Sequence, residues 1–189
     1  MIDISKDSAA QLNIIIAKAK LQEVFLNKMS VMPIDIRSMT KSFFISGGCI
    51  GSFLRNEPSN DIDIWCTDDN VIQLIKASAK KNIDYVKDTN KKYISCEVEG
   101  KLITGNAITF ANDLQIITMA SGTPKEIVAH FDYLHCTPWY MVHKNALHIT
   151  SAQYDACMNK KLVVNNAKMA KRTKEAFRYQ KLKEQGFTE

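Results

Sequence analysis

The stretch FFISGGCIGSFLRNEPSNDIDIWC, residues 43–66, decides the fold of this chain. Its first residues are apolar and predict a buried strand that ends at the pair Gly47-Gly48. A short helix is expected next, followed by a turn rich in Asn, Pro and Ser. A second predicted strand then carries Asp61 and Asp63. We therefore expect this stretch to fold as strand, short helix and strand.

Asp61 and Asp63 are spaced to bind cations. Because side chains alternate across a strand, both carboxylates point to one face, ~7 Å apart, whereas Ile62 and Ile64 point to the other. Two carboxylates at this spacing repel each other unless cations lie between them. Magnesium is the expected ion, since hard cations favour carboxylate and phosphate oxygen.

Gly47 and Gly48 are placed to bind phosphate. Glycines let the backbone pass close to a ligand, and the N-terminus of the following helix offers free N–H groups to an anion. We expect a positive φ at Gly48, where a side chain would block the approach of a phosphate. A phosphate cradle that faces a paired-carboxylate metal site is what nucleotidyl transfer requires.

These motifs resemble, in order and spacing, the DNA polymerase β-like nucleotidyltransferase superfamily. Its signature is a hydrophobic strand, Gly-Gly or Gly-Ser, a short spacer and two aspartates separated by one hydrophobic residue. The segments GTPKEI and FDYLHC, within residues 106–140, look like those of small phage-encoded members. The resemblance implies an Mg²⁺-dependent enzyme that moves NMP from an NTP to a hydroxyl acceptor and releases pyrophosphate.

The same resemblance implies phosphate contacts for two further residues. Ser52 and Arg55 stand where members of the superfamily often place groups that contact the nucleotide phosphates. For Arg55 an ion pair with Glu57 at the surface is an equal alternative.

The resemblance also implies a third carboxylate on a later strand. Asp132, between two hydrophobic residues, is the first choice as a catalytic metal ligand beside the pair at 61 and 63. Several relatives carry their third acid at the position that Gln115 occupies here. If Gln115 is the equivalent residue, the fold is a binding module or a weakened enzyme. Glu97 and Asp113 are further candidates.

The side chains beside Asp132 give little support for a nucleophile–base pair. His135 and Cys136 are adjacent on a predicted strand, so they would point to opposite faces and pair poorly as a nucleophile and base. Four aromatic residues are first of all core or rim residues, with stacking on a nucleobase as the alternative; they are Trp65, Tyr133, Trp139 and Tyr140.

Composition fits one sizeable core, since 46% of the 189 residues are hydrophobic. No run of 18 apolar residues and no signal pattern occur, so we expect no membrane insertion or secretion. The five cysteines form no Cys-x-x-Cys pair, which indicates reduced thiols and a cytoplasmic location, the host cytoplasm if the chain is phage-encoded.

The positive charge is concentrated near the C-terminus. Residues 160–186 contain nine Lys or Arg and two Glu, which gives +7, so the remainder of the +5 chain is at −2. This distribution predicts contact with a polyanion, although a solvated helix face is the simpler reading. The candidate contacts with nucleic acid are Lys171, Arg172, Lys174, Arg178 and Lys181.

Local patterns predict helices over residues 8–29, 49–55, 68–81, 123–130, 154–159 and 165–185, with Gly186 as a C-terminal cap. They predict strands over residues 43–45, 61–65, 83–86, 93–98, 102–110 and 114–119 and from residue 131, with a hairpin turn at 99–101. We predict an α+β fold, in which a mixed sheet forms a nucleotidyltransferase-like core (1–150) and a basic helical extension follows (151–189).

An RNA 3′ end is the leading acceptor because of the basic extension. A small molecule such as an aminoglycoside and a protein hydroxyl are alternatives within the same class. A catalytically inactive protein that binds nucleotides or nucleic acid is the alternative from another class.

Overall fold

A computed structural model describes residues 3–30, 34–59, 62–80, 96–98, 101–103, 106–109, 114–174 and 177–189. Asp61 and the predicted strand over 83–86 lie outside these residues. The helices are α1 (Ser8–Met29), α2 (Ile34–Ser38), α3 (Gly48–Leu54), α4 (Asp69–Lys80), α5 (Pro124–Val128), α6 (Ser151–Met158), α7 (Ala167–Lys174) and α8 (Phe177–Glu184). Short 3₁₀ helices cover Thr40–Ser42, Leu134–Cys136 and Val142–Lys144.

The strands are β1 (Phe43–Ser46), β2 (Ile62–Cys66), β3 (Cys96–Val98), β4 (Lys101–Ile103), β5 (Ala107–Thr109), β6 (Leu114–Ile117), β7 (Trp139–Met141) and β8 (Ala146–His148). Within the described residues they form one sheet in the order β3-β4-β5-β6-β2-β1-β7-β8. The β2–β6 pair is parallel and the other pairs are antiparallel. The chain therefore has the expected α+β fold, with a mixed sheet and flanking helices.

All residues of β1 are buried, as are those of β2 except Asp63, which explains why both sequences are largely apolar. One face carries Ile45 and Ile64 into the principal core, where α1 and α3 cover them. The other face carries Phe44 and Trp65 into a second cluster with Ile127 of α5. The expected strand, short helix and strand over residues 43–66 are confirmed where the structure describes them.

Side-chain caps fix several helix starts. The Asp7 carboxylate accepts a hydrogen bond from the Ala10 N–H, which confirms the predicted start of α1. Thr123 and Glu126 form a reciprocal capping box at the start of α5, within the helix predicted over 123–130. A second capping box between Thr150 and Gln153 starts α6 earlier than expected.

The predicted strand from residue 131 is wrong. This segment forms a turn, an isolated bridge between Tyr133 and Val164, and a 3₁₀ helix. The Asp132 carboxylate accepts a hydrogen bond from the Tyr133 N–H at 2.9 Å, and the Asp132 carbonyl accepts from the Asn165 and Asn166 N–H groups. These bonds compete with strand pairing.

Two further predictions of strands need correction. The expected single strand over 102–110 is divided into β4 and β5, which pair antiparallel. The β7–β8 hairpin was not predicted; the backbone at Asn145 turns with a φ of 45°, a conformation that asparagine tolerates. The hairpin predicted at 99–101 is confirmed by the β3–β4 pairing.

The C-terminal part forms two helices, α7 and α8, where one helix over 165–185 was predicted. Gly186 caps α8 with a φ of 85°, as predicted, and the Phe187 N–H donates to the Leu182 carbonyl in a Schellman pattern. A separate apolar cluster holds this part together; its buried members are Tyr133, Leu162, Ala170, Leu182 and Phe187.

The division into residues 1–150 and 151–189 stays a prediction. Tyr154 and Cys157 of α6 pack in the principal core, whereas the small apolar cluster includes Leu162 and later residues. None of the described helices combines the length and the apolar character needed to cross a membrane.

We expect Phe187→Ala to lower the free energy of unfolding by about 3 kcal/mol, because Phe187 is 7% exposed and leaves a cavity when truncated. Phe177→Ala is the matched control, since Phe177 is 80% exposed and its truncation should be nearly neutral. Urea denaturation followed by circular dichroism measures both. Equal effects of the two substitutions would show that the C-terminal cluster is not packed as described.

Candidate active site

Gly47 lies against the carboxylate of Asp63. The backbone at Gly47 has a φ of 113°, and a Cβ at this residue would lie 3.1 Å from Asp63 Oδ2. Glycine is therefore required at position 47 both for its conformation and for the close approach. Gly48 begins α3, and a Cβ there would meet nothing within 4 Å. The positive φ expected at Gly48 thus belongs to Gly47.

Gln115 is the neighbour of Asp63 on the adjacent strand. The parallel register of β2 and β6 pairs Asp63 with Gln115, and Ile64 with Ile116. Paired residues of parallel strands point to the same face, so the Gln115 side chain leaves the sheet beside the carboxylate of Asp63. The sheet therefore places Gln115, the uncharged alternative to a third acid, beside Asp63.

Asp132 also reaches the site, but from a turn. Its side chain is 5% exposed, and it accepts a hydrogen bond from Thr173 Oγ1 at 2.8 Å. Arg178 approaches it with Nε 3.3 Å from Oδ2 and donates from Nη2 to Oδ1 at 3.3 Å. Both carboxylate oxygens are thus engaged by protein groups.

A polar cavity of about 460 Å³ lies on one side of Asp63. Four cations line it against two acids, so its lining is net positive. The charged lining residues are Arg55, Lys160, Arg178, Lys181, Glu57 and Asp63.

An apolar cavity of about 500 Å³ lies on the other side. Its apolar lining residues are Trp65, Ile117, Met119, Ile127, Phe131 and Met169. Trp65 and Phe131 have ring centroids 5.2 Å apart in a tilted arrangement. Four residues line both cavities, which places them at the junction: Gly48, Asp63, Cys136 and Arg178.

Ser52 and Arg55 both line the polar cavity. Arg55 donates to Glu57 Oε2 from Nε at 2.9 Å and from Nη2 at 2.7 Å, and to the Cys157 carbonyl from Nη1 at 2.6 Å. The structure therefore contains the Arg55–Glu57 pair, with an Arg55 side chain only 11% exposed. The hydrogen bonds from Arg55, together with Lys160, lower the pKa of Glu57.

His135 and Cys136 add no charge to this region at neutral pH. Burial lowers the pKa of His135 to about 4, and burial raises the pKa of the Cys136 thiol to about 12. The ring of His135 and the thiol of Cys136 are therefore neutral. The charged groups at the junction are Asp63 and Arg178.

The basic residues predicted to contact nucleic acid lie in two places. Arg178 and Lys181 line the polar cavity. Lys171 and Arg172 are exposed on α7, and Lys174 pairs with the Glu189 carboxylate at 2.6 Å. Lys171 and Arg172 are therefore exposed basic residues of α7 that do not line the polar cavity.

Sequence reasoning missed part of the lining. Lys160 enters the polar cavity beside Glu57, at 3.2 Å, and Gln185 lies nearby. Met169 and Thr173 of α7 line the apolar cavity. Their contribution depends on how the C-terminal helices pack against the sheet, and no local motif signals it.

In the part of the chain that the structure describes, no group of three or more His, Cys, Asp or Glu side chains is placed to hold a metal ion. Asp61 lies outside that part. The register of β2 and β6 places the carboxylate of Asp63 and the amide of Gln115 at neighbouring positions on one face of the sheet.

We expect Gly47→Ala to disturb the site far more than Gly48→Ala. Alanine at position 47 forces a Cβ into a positive φ, at a cost of about 1–2 kcal/mol, and displaces the Asp63 carboxylate. Alanine at position 48 lies in a helix with open space around it. Calorimetric titration with an NTP and thermal unfolding compare the two. Equal losses of NTP affinity and of thermal stability in both variants would mean that the Gly47–Asp63 contact does not organise the site.

Solved structures that are similar to this chain include CCA-adding enzymes. The complex of the Thermotoga maritima CCA-adding enzyme with tRNA has a TM-score of 0.43 and 13% identity, covering 69% of this chain and 32% of that enzyme. A complex of a CCA-adding enzyme with CTP has a TM-score of 0.44 and 15% identity, covering 69% and 31%. This chain thus matches about a third of the length of those enzymes, and the similarity concerns the fold alone.

Comparison with curated proteins gives no match. The sequence model of the Gabija anti-defense 2 family matches residues 16–160, which is more than half of the 189 residues and includes the whole stretch from β1 to β8. The chain therefore belongs to the Gabija anti-defense 2 family.

Proposed function

We propose that this chain is a magnesium-dependent nucleotidyltransferase of the DNA polymerase β-like type. It transfers NMP from an NTP to a hydroxyl acceptor and releases pyrophosphate. The observation that carries this proposal is the contact between the Gly47 turn and the Asp63 carboxylate, at the junction of a basic cavity and an apolar one. This activity would serve the anti-defense role that the description of the family states.

The residues available for Mg²⁺ are Asp63, Asp61 two positions before it, and Gln115. Carboxylate and amide oxygens are ligands that magnesium accepts, and Asp63 and Gln115 share one face of the sheet. Asp132 is the weaker candidate, because Thr173 and Arg178 already engage its oxygens. When bound, the metal would lower the pKa of the acceptor hydroxyl and neutralise charge on the phosphates.

The two cavities separate the roles of the substrates. The net positive lining of the polar cavity favours the triphosphate, and Ser52 and Gly48 belong to that lining. The apolar cavity on the other side of Asp63 leaves room for the end of the acceptor that carries the hydroxyl. In the reaction the hydroxyl oxygen forms a bond to the α-phosphorus, and the bond to the bridging oxygen breaks as pyrophosphate leaves.

An RNA 3′ end is the proposed acceptor. The exposed Lys171 and Arg172 belong to α7, and the same helix contributes Met169 and Thr173 to the apolar cavity. An RNA chain whose last nucleoside enters the apolar cavity would therefore have its phosphate backbone near Lys171 and Arg172. Aromatic residues in the lining suit a nucleobase.

A nucleotide-binding protein without transferase activity is the second candidate. The register of β2 and β6 places the amide of Gln115 beside Asp63, at a position where a carboxylate would complete the metal site. With one charged ligand fewer, the described residues suit a single ion better than two. Triphosphate binding in Mg²⁺ without release of pyrophosphate would favour this candidate.

We expect Asp63→Asn and Asp61→Asn each to reduce Mg²⁺-dependent pyrophosphate release on the order of 100-fold, because each removes negative charge from the metal site. Glu23→Gln, on the exposed surface of α1, is the matched amide control and should behave as the wild type. Phosphate detection coupled to pyrophosphatase measures the rate with each NTP and total RNA. Wild-type rates in the Asp63 variant would refute the proposed mechanism.

The affinity for single-stranded RNA should fall as the salt concentration rises. A plot of the logarithm of the binding constant against the logarithm of the salt concentration should have a slope of about −0.7 for each phosphate contact. Reversal of Lys171 and Arg172 to Glu should weaken RNA binding and flatten this slope, while NTP affinity is kept. Reversal of Lys41 and Lys144, which are exposed elsewhere, is the control. Fluorescence anisotropy measures these affinities, and negligible binding at low salt would exclude the RNA acceptor.

A further inference from the structure

Arg178 occupies the junction of the two cavities, next to Asp63. Among the described residues, Arg178 is the cationic side chain that lines both cavities. It comes from α8, and α7 and α8 follow the part of the chain that the family match covers. The C-terminal helices therefore deliver a positive charge to the centre of the site.

Asp132 holds Arg178 in this place. The Nε and Nη2 groups of Arg178 face the two oxygens of the carboxylate, each at 3.3 Å. Asp132 is itself fixed by the Thr173 hydroxyl and the Tyr133 N–H, at 2.8 and 2.9 Å. The carboxylate is 5% exposed, so this ion pair is little screened by water at one end.

The guanidinium still has donors for a ligand. Within the described residues its contacts use Nε and Nη2, the latter also donating to Cys136 Sγ at 3.4 Å. The two N–H groups of Nη1 remain, and 54% of the side chain is exposed. A guanidinium with free donors that faces a cavity is suited to phosphate oxygen.

We propose that Arg178 binds a phosphate group of the bound NTP at the junction, and that Asp132 is the positioning residue that aims it. This inference rests on the proposed function, and it gives Asp132 a role different from that of a metal ligand. A magnesium ion on Asp132 would have to displace Thr173 and Arg178 from the two oxygens of that carboxylate. A phosphate there is attracted by Arg178 and by a metal on Asp63 alike.

The assignment explains why Asp132 is buried among groups that donate hydrogen bonds. Its carbonyl accepts from the Asn165 and Asn166 N–H groups, so the same residue ties the start of α7 to the site. Thr173 of α7 and Arg178 of α8 then meet on its carboxylate. The Asp132 carboxylate therefore attaches both C-terminal helices to the junction of the two cavities.

The experiment compares Arg178→Gln, Arg178→Lys and Asp132→Asn with the wild type and with Lys144→Gln, an exposed control. Titration calorimetry in Mg²⁺ measures binding of ATP, AMP and adenosine. We expect Arg178→Gln to weaken ATP binding by at least about tenfold, the size of one charge-assisted hydrogen bond, and to leave adenosine binding unchanged. Arg178→Lys should restore part of the affinity for ATP.

Asp132→Asn should weaken ATP binding less than Arg178→Gln does, and the Mg²⁺ concentration for half-maximal ATP binding should stay at the wild-type value. If that concentration rises as we expect it to rise in Asp63→Asn, Asp132 is a metal ligand and the inference is overturned. Thr173→Val, which removes one bond to the carboxylate, replaces the Asp132 variant if the latter does not fold.

The outcomes separate this inference from the proposed function. Normal ATP binding in Arg178→Gln overturns the phosphate contact even if the wild type transfers nucleotides. Conversely, a wild type that releases no pyrophosphate, but whose ATP affinity depends on Arg178, refutes the transferase and supports the contact.

Discussion

The contact between Gly47 and the carboxylate of Asp63 is the constraint on which the rest of the site depends. A Cβ at position 47 would approach Oδ2 within 3.1 Å, so β1 can end and α3 can begin beside this carboxylate only if a glycine makes the turn. The antiparallel pairing of β1 with β2 sets the distance, because Ile45 lies opposite Ile64, next to Asp63. The apolar faces of these strands, packed under α1 and α3, keep the register fixed.

Charge is distributed around this contact in a way that suits two different substrates. Lys160 and Lys181 line the cavity on one side of Asp63, whereas aromatic and aliphatic side chains such as Trp65 and Phe131 line the other. Arg178 lines both cavities, and its partner Asp132 lines the apolar one. In the proposed reaction, a polyanionic donor and an acceptor with an apolar end would meet at Asp63, which lines both cavities.

Much of the fold could be predicted from local sequence, and part of the site could not. The strands around Gly47-Gly48 and the capped helices α1 and α5 follow from apolar runs and capping residues. Gln115 could be placed beside Asp63 only through the pairing of β2 with β6, which is a non-local contact. Asp132 was expected on a strand because hydrophobic residues flank it, yet its bonds with the next N–H and with the C-terminal helices favour a turn. A phosphate contact and an ion pair with Glu57 were the two alternatives for Arg55, and the structure contains the ion pair.

A crystal structure with Mn²⁺ and a non-hydrolysable NTP analogue tests the Gly47–Asp63 site most directly. We expect an anomalous peak bonded to the Asp63 carboxylate, with the triphosphate extending from it into the cavity lined by Lys160 and Lys181. Such a density would establish that the turn at Gly47 and the carboxylate together hold a metal-bound nucleotide. A nucleotide bound elsewhere, or bound in this cavity without any metal at Asp63, would contradict the transferase assignment.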